Sequence, residues 1–288
     1  MVIKTAGISE FSVAVEWAAN EGWNPGLNDL ECYHAADKKG FFLGIADSVP
    51  VASISAVQYN TSFGFIGFYI VKPEFRGMGF GKAIWDHGMN YLNNCCTVGL
   101  DGVPEQQENY AKSGFSLAWN NVRYVGTPER ALSGKTDIKT MPPFVIRPMV
   151  PDNLMDVMKY DQSVFPAGRE NFQKRWFSQV GGKGSVAIDA NDRIRGIGFI
   201  RPCRLGYKIG PLTANDRESA YSLFYELLRL VPPDSQVAID VPLPNKLAVG
   251  LAESAGMNPA FKTARMYNGP HPDISLDRIF GITSFEIG

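Results

Sequence analysis

The sequence contains one strand–helix–glycine–strand pattern twice, and this repeat constrains the fold more than any other feature. "VGLDGVPEQQENYAKSGFSLAWNNVRYVG" at 98–126 aligns with "VAIDVPLPNKLAVGLAESAGMNPAFKTARMYNG" at 237–269. The matched positions are Asp101 with Asp240, Gly114-Phe115 with Gly256-Met257, and Val122-Arg123-Tyr124 with Arg265-Met266-Tyr267. This unit is common among unrelated proteins, but the order of the elements around it repeats as well, which favours a duplicated fold.

The length of the chain agrees with a duplication. Its 288 residues are enough for two domains of about 140 residues each. Between the two copies, "GTPERALSGKTDIKTMPP" is polar and rich in turn-forming residues, which is typical of a linker. We therefore predict one domain at 1–126, a linker at 127–143 and a second domain at 144–288.

Composition and charge exclude several classes of function. The net charge is −1, so no field of one sign would attract nucleic acid or an anionic membrane. The sequence has no run of 18 apolar residues and no signal-peptide core at its N-terminus, which predicts a cytoplasmic protein. Neither the four cysteines nor the three histidines, His34, His87 and His271, are spaced as metal ligands, so we expect no metal.

Three glycines alternate where an apolar strand precedes an amphipathic helix. The strand is "FGFIGFYIV", and "RGMGFGK" follows from Arg76 to Lys82. Glycine permits positive φ and a close approach of ligand to backbone, while the N–H groups of a helix N-terminus attract anions. This pattern predicts a cradle for a phosphate or pyrophosphate. It fits neither the G-x-G-x-x-G fingerprint nor the P-loop, because Ala83 stands where the P-loop needs a hydroxyl.

The same segment carries a resemblance to a family. "VKPEFRGMGFGKAIW" resembles the acetyl-CoA loop of the GCN5-related N-acetyltransferases (GNAT), with Arg76, Gly79 and Gly81 on its pattern of Arg/Gln-x-x-Gly-x-Gly/Ala. A second family feature, an aromatic residue four positions before Gly-Phe, is matched by "YAKSGF". The resemblance covers about residues 1–126. "EGWNPG", "GFYIV" and "VGLDGV" further resemble a bacterial subgroup with an extra C-terminal domain, the YitH-like proteins.

The resemblance implies an α/β (α+β) fold of two tandem GNAT-like domains, each a mixed, twisted sheet flanked by helices. In this family the sheet splays open between its fourth and fifth strands, here 63–71 and 97–103, and pantetheine lies in the gap. We predict that the second domain is degenerate. Its counterpart of the loop, 211–216, reads "PLTAND", with no glycine, a proline that lacks a donor N–H, and a carboxylate that repels phosphate.

The resemblance also assigns residues to acetyl-CoA, the co-substrate. It implies that the backbone of the fourth strand binds pantetheine and supplies the oxyanion donor, near Ile70 or Val71, and that the glycine loop binds the pyrophosphate. The residues so assigned are Tyr69, Ile70, Val71, Arg76, Gly77, Met78, Gly79, Phe80, Gly81 and Lys82.

Tyr110 stands where the family keeps its general acid. A tyrosine is protonated at neutral pH, since its unperturbed pKa is about 10, and it can protonate a leaving thiolate. The alternative is a buried aromatic residue that only packs. Its place four residues before Gly114 favours the acid.

The general base is less clear, because the fourth strand lacks the glutamate that many relatives have there. The candidates are Glu21, Asp29, Asp101 or a chain of water molecules. Asp101 recurs as Asp240, where no chemistry is expected, which favours a structural role. Glu21 lies in "EGWNPG", where the fold keeps its acceptor loop, and is predicted to act as base or to recognise the amine.

Two neighbours in that loop, Trp23 and Asn24, are candidates for acceptor contacts, although Trp23 is equally suited to a core position. We predict an N-acetyltransferase that acts on a primary amine of a small molecule or amino-acid-like acceptor, by direct attack in a ternary complex. The missing acid motivates an alternative, a non-catalytic acetyl-CoA sensor. A monomer and a homodimer both remain open.

Overall fold

The computed structural model describes residues 1–133 and 143–288, which form helices on both faces of one long sheet. We call residues 1–126 the first half and residues 144–288 the second half. The first half contains β1 (Val2–Thr5), α1 (Ile8–Asn20), α2 (Asp29–Ala36), β2 (Phe41–Ala46), β3 (Val49–Gln58), β4 (Phe63–Val71), α3 (Phe80–Tyr91), β5 (Thr97–Gly102), α4 (Gln107–Lys112) and β6 (Ser116–Gly126). After α5 (Pro128–Ser133), the second half contains β7 (Phe144–Pro148), α6 (Leu154–Gln162), α7 (Glu170–Trp176), β8 (Lys183–Asp189), β9 (Ile194–Pro202), β10 (Tyr207–Ala214), α8 (Arg217–Arg229), β11 (Val237–Pro242), α9 (Lys246–Ser254), β12 (Asn258–Asn268) and β13 (Ile279–Gly281).

The sheet is mixed, as predicted, and continuous. Its strands lie in the order β1-β2-β3-β4-β5-β12-β6-β11-β10-β9-β8-β7, with β13 paired to β10. β4 runs parallel to β5 and β10 runs parallel to β11, while the other neighbours are antiparallel. Each half therefore presents four antiparallel strands followed by one parallel neighbour, which is the duplicated order that the repeat predicted.

The last strands of the two halves are exchanged. β12, from the second half, lies between β5 and β6 and pairs with both. β6, from the first half, pairs in turn with β11. Each half is thus completed by a strand of the other, so the backbone hydrogen bonds of β5 depend on the second half.

Two buried ion pairs cross this exchange. Asp101 on β5 binds Arg265 on β12 through both carboxylate oxygens, at 2.9 and 2.5 Å, and Asp240 on β11 binds Arg123 on β6 at 2.6 and 2.8 Å. The repeat alignment was wrong by one residue here, since Arg123 corresponds to Arg265 and not to Met266. A shift of one residue would turn each arginine to the opposite face of the sheet.

The predicted loop at 211–216 was also wrong in its extent. β10 continues to Ala214, so Pro211 lies within the strand, at a bulge where its missing N–H breaks no ladder bond. Only Asn215 and Asp216 remain between β10 and the next helix.

The segment predicted as a linker begins with a helix. Thr127 and Pro128 provide a favourable helix start, since a threonine hydroxyl can accept from the first turn and proline suits the first helical position. Residues 134–142 of the predicted linker lie outside the described residues. No helix among the described residues is both long and apolar enough to cross a membrane.

Candidate active site

The glycine loop leads into α3 with its N-terminus open. Gly79 is the residue before the helix and has φ +83°, and Gly77 has φ +78°, a region in which other residues are strained. No side chain of the described residues caps this helix. The first N–H groups of α3 therefore remain available to an anion, and the helix dipole favours negative charge there.

Gly81, the third glycine of the loop, is required for a different reason, which is the close packing of α3 on β4. A Cβ built on Gly81 would lie 2.9 Å from the hydroxyl oxygen of Tyr69, so a side chain there would push α3 away from β4. The two cations that flank the loop, Arg76 and Lys82, have different partners. Arg76 donates from Nε to the carbonyl of Val71 at 2.9 Å, whereas Lys82 pairs with Asp86 one turn further along α3.

The gap predicted between the fourth and fifth strands is present. β4 and β5 pair only from Phe63 to Ile66 and from Thr97 to Leu100, and beyond these residues the strands separate. A cavity of about 420 Å³ opens in the gap. The predicted residues that line it are Glu21, Trp23, Tyr69, Ile70, Val71, Arg76, Gly77, Gly81 and Tyr110.

Three predicted loop residues, Met78, Phe80 and Lys82, do not line this cavity, nor does Gly79. Met78 is 59 % exposed, between the two glycines of positive φ. Met78, Gly79 and Lys82 are exposed to solvent, whereas Phe80 is half-buried and packs against Phe75. The cavity and the glycine loop are therefore adjacent parts of one site, joined at Arg76 and Gly77.

Tyr110 reaches this cavity from α4. Its ring packs against Trp85 with 5.4 Å between the ring centres, and no described residue forms a hydrogen bond with its hydroxyl. Burial, together with the nearby phenol of Tyr69, raises the pKa of Tyr110 above its usual value near 10. The phenol therefore keeps its proton at neutral pH and has no partner to which the proton is committed.

β4 is bulged where it borders the cavity. Gly67 lies opposite Ser55 and Ile70 lies opposite Ser53, so Phe68 and Tyr69 share one position of β3. Phe68 has φ +46°, which is unusual for a large side chain and marks local strain. The strained residue lies two positions before Ile70, one of the two residues predicted to supply the oxyanion donor.

The predicted carboxylates are all engaged by arginines. Glu21, at the end of α1, binds Arg76 at 2.5 Å at the rim of the cavity, and both side chains are partly exposed. Asp29 is buried and bound by both nitrogens of the Arg201 fork at 2.8 and 3.0 Å. Asp101 lines the cavity, but Arg265 occupies its two oxygens, in agreement with a structural role.

The two acceptor-loop candidates differ in position. Trp23 lines the cavity and also packs against the core beneath α1. Asn24 does not line the cavity. Its amide group donates to and accepts from the backbone of Leu205, at 3.0 and 2.8 Å, in a turn of the second half. Lys208 adds a hydrogen bond to the carbonyl of Asn24 at 2.9 Å, so the second half fixes the shape of the acceptor loop.

The second half also forms one wall of the cavity. This wall consists of Phe261, Thr263, Phe285 and Glu286. The sequence analysis missed all four, because no local motif surrounds them. The available signal was the glutamate in the otherwise uncharged segment "ITSFEIG".

No group of three His, Cys, Asp or Glu side chains within 1–133 and 143–288 is arranged to hold a metal ion.

The segment "FPAGRENFQKRWF" at 165–177 contains α7, which begins at Glu170 and packs against α2. Tyr33 stacks on Trp176 there, with ring centres 5.9 Å apart. This helix therefore joins the two halves without reaching the cavity.

Comparison with known proteins identifies each half separately. Residues 10–115 match the "Acetyltransferase (GNAT) family", and residues 157–281 match a second "Acetyltransferase (GNAT) domain". The holothin acyltransferase of Pseudoalteromonas sp. (strain SANK 73390) is 34% identical over 285 residues, which cover 99% of this chain and 94% of that protein.

Two solved structures share the fold. A putative acetyltransferase from Pyrococcus horikoshii superposes with a TM-score of 0.80 at 21% identity, covering 100% of this chain and 95% of the other. A tandem GNAT protein from the clavulanic acid biosynthesis pathway gives a TM-score of 0.67 at 12% identity, covering 94% and 99%. The two domain matches and the full-length relative show that this chain belongs to the GNAT family as a tandem of two GNAT domains and is an acyltransferase.

Proposed function

We propose that this acyltransferase transfers an acetyl group from acetyl-CoA to a primary amine of a small-molecule acceptor, by direct attack in a ternary complex. The observation that carries the proposal is the single cavity that connects the glycine loop with Tyr110 between the splayed strands. One end of this cavity suits the donor and the other, walled by the second half, suits an acceptor of limited size.

The residues present fit acetyl-CoA. The pyrophosphate would bind the open N–H groups at the start of α3, with positive charge from Arg76. The pantetheine arm would lie between β4 and β5, where the ladder ends and strand backbone is free to pair with an amide. Gly77 and Gly79 have no atom within 4 Å of an added Cβ, so the loop leaves open space at this point.

The chemistry requires three contributions from the chain. A backbone N–H at the bulge of β4, near Ile70 or Val71, would stabilise the oxyanion, and a fixed donor of this kind contributes roughly 3 kcal/mol. Tyr110 would protonate the thiolate as the C–S bond breaks. The ammonium group of the acceptor must also lose a proton before it can attack.

The acceptor end of the cavity favours a small molecule. The cavity is lined by three aromatic side chains, those of Trp23, Phe261 and Phe285. Thr263 and three carboxylates, those of Glu21, Asp101 and Glu286, add polar groups. The relative at 34% identity is named for acyl transfer to holothin, so holothin is the first acceptor to test. We place the reaction in the cytoplasm, in a monomer or homodimer, with the acceptor and acetyl-CoA as its partners and no nucleic acid, membrane or metal.

The test is a panel of primary amines that begins with holothin, each incubated with acetyl-CoA and with longer acyl-CoA donors. Release of free thiol and mass spectrometry of the product identify acceptor and donor. We expect acetyl-CoA to be consumed only when an amine is present. Binding of acetyl-CoA without thiol release, across the whole panel, would instead support the sensor, and faster transfer from a longer donor would correct the acyl group.

A further inference from the structure

The side chain of Glu286, near the C-terminus, lines the cavity from the second half. The C-terminal segment, residues 282–288, leaves β13 and crosses to the first half. It is held at both ends, since the Ile282 N–H donates to the carbonyl of Asp240 at 2.9 Å and the Tyr59 hydroxyl donates to the carbonyl of Ile287 at 2.8 Å. Ile287 is fully buried. The position of Glu286 between these anchors is therefore fixed by the fold.

The backbone of this segment touches β4 at its bulge. A Cβ built on Gly67 would lie only 2.2 Å from the carbonyl oxygen of Glu286, so glycine is required for the contact. Gly67 directly precedes the strained Phe68, beside the stretch of β4 that would hold the thioester. The C-terminal segment thus brings Glu286 to the part of the cavity where the reaction would occur.

The side chain of Glu286 is 4 % exposed and lines the cavity. One oxygen, Oε2, accepts hydrogen bonds from the Ser284 hydroxyl and, at 3.3 Å, from the Tyr33 hydroxyl. The other oxygen, Oε1, accepts none from the described residues, and none of their cations lies within ion-pair distance of the carboxylate. A buried carboxylate without a cation is costly, and a bound ammonium group would offset that cost.

The charged groups around Glu286 are committed elsewhere. Arg123 is bound to Asp240, and Lys208 donates to backbone carbonyls of the acceptor loop. On the acidic side, Asp101 is bound to Arg265, and Asp29 is bound to Arg201. Of the four carboxylates named as candidates here, Glu21, Asp29, Asp101 and Glu286, only Glu286 forms no ion pair with a described arginine or lysine.

We propose that Glu286 binds the ammonium group of the acceptor and removes its proton as the general base. This inference rests on the proposed function. The ammonium gives one proton to Glu286, and the free amine forms a C–N bond with the thioester carbonyl. The tetrahedral intermediate then breaks its C–S bond, and the thiolate takes the proton of Tyr110. The nitrogen releases its second proton, which restores Tyr110, while Glu286 returns its proton to solvent.

The test uses the full chain with Glu286→Gln, which keeps the size and hydrogen-bonding capacity of the side chain. The acceptor is the panel amine that the wild type acetylates fastest. We expect kcat/KM for this amine to fall by about 10²–10⁴-fold at neutral pH, with an unchanged Kd for acetyl-CoA. Because the variant must wait for free amine, its kcat/KM should rise about tenfold per pH unit up to the pKa of the acceptor. A weakly basic aromatic amine, already unprotonated, should be acetylated at similar rates by both proteins.

Two further variants separate catalysis from structure. Asp273→Asn removes an exposed charge close to the same segment and should leave all rates unchanged. Glu286→Asp keeps the charge and should recover part of the rate, and it also decides the question if Glu286→Gln does not fold. If the wild type acetylates the amine and Glu286→Gln does so equally fast, with the same pH profile, Glu286 is only structural. If the wild type acetylates no amine, the proposed function itself is wrong.

Discussion

The two halves differ most in the connection between the fourth strand of each half and the helix that follows it. In the first half, residues 72–79 separate β4 from α3, whereas only residues 215–216 separate β10 from α8 in the second. α3 starts at a glycine of positive φ without a side-chain cap. α8 is capped by Asp216, which accepts from the Ser219 N–H at 2.8 Å and binds Arg195 at 2.6 Å. The N-terminus of α3 is therefore open to an external anion, whereas the N-terminus of α8 is occupied by the carboxylate of Asp216.

The gap between the parallel strands differs in the same way. In the first half it is a cavity, but in the second half β13 pairs with β10, with Leu212 opposite Gly281. The chain's own backbone thus occupies the place that corresponds to the proposed position of the pantetheine arm in the first half. Ala252 stands four residues before Gly256, where the first half has Tyr110 four residues before Gly114. The comparison indicates how a loop, a helix cap and a few side chains would decide whether this fold carries the proposed donor site.

The largest effect should come from separating the halves. We expect residues 1–130 alone not to fold stably, because β5 and β6 lose β12 and β11 and Asp101 loses Arg265. An uncompensated buried charge alone costs about 3–5 kcal/mol. Circular dichroism and acetyl-CoA binding would measure this, and co-expression with residues 131–288 should restore both. A fragment that is soluble, binds acetyl-CoA and acetylates the same acceptor at full rate would show that the strand exchange is dispensable.

Gly79→Val tests the open helix end. Valine is strained at φ +83° and would place a branched side chain over the first N–H groups of α3. Loss of two charge-assisted hydrogen bonds would weaken acetyl-CoA binding by about 100-fold or more. Calorimetry provides the Kd, and circular dichroism checks the fold. Met78→Ala, an exposed change in the same loop, is the control, and a wild-type Kd for Gly79→Val would remove the loop from the donor site.

Tyr110→Phe tests the proposed general acid, a tyrosine that has no counterpart in the second half. The ring keeps its packing but cannot donate, so kcat should fall by about 10²–10⁴-fold with little change in the Kd for acetyl-CoA. Because burial raises the pKa of Tyr110, its acid form persists through pH 10, and wild-type kcat should show no loss from Tyr110 below that pH. Tyr225→Phe, a buried tyrosine of the second half, is the control. An unchanged kcat at saturating substrate would leave Tyr110 a packing residue.

Asp216→Ala should have the smallest effect on the protein, and it tests the contrast between the capped start of α8 and the uncapped start of α3. Removing this cap should lower the free energy of unfolding by about 1 kcal/mol and should create no second donor site, because β13 still fills the gap. Partial burial opposes ionisation of Asp216, but its bonds from Ser219 and Arg195 hold its pKa below the usual range. The wild type should therefore lose this stability as the pH falls through that lowered pKa, while the variant should not. Calorimetry should give one acetyl-CoA per chain for both proteins, and a stoichiometry of two would overturn the account of the second half.

The sequence by itself determined the features that depend on local geometry. The apolar strand 63–71, the glycines before α3 and the placement of Tyr110 before Gly114 were sufficient to predict the family and, through it, the splayed sheet. Positive φ at Gly77 and Gly79, and a helix that starts without a cap, are consequences of neighbouring residues alone. Such patterns can be recognised in a sequence because each depends only on residues that are close together in the chain.

Only the tertiary structure decided which distant residues meet. The pairing of β12 with β5 cannot be read from either strand, since both patterns are equally satisfied by a partner from their own half. The same holds for the four carboxylates near the cavity. Glu21, Asp29 and Asp101 each meet an arginine brought by another element, while Glu286 arrives from the C-terminus without one. Charge pairing across a sheet depends on register and topology, which short-range sequence patterns do not contain.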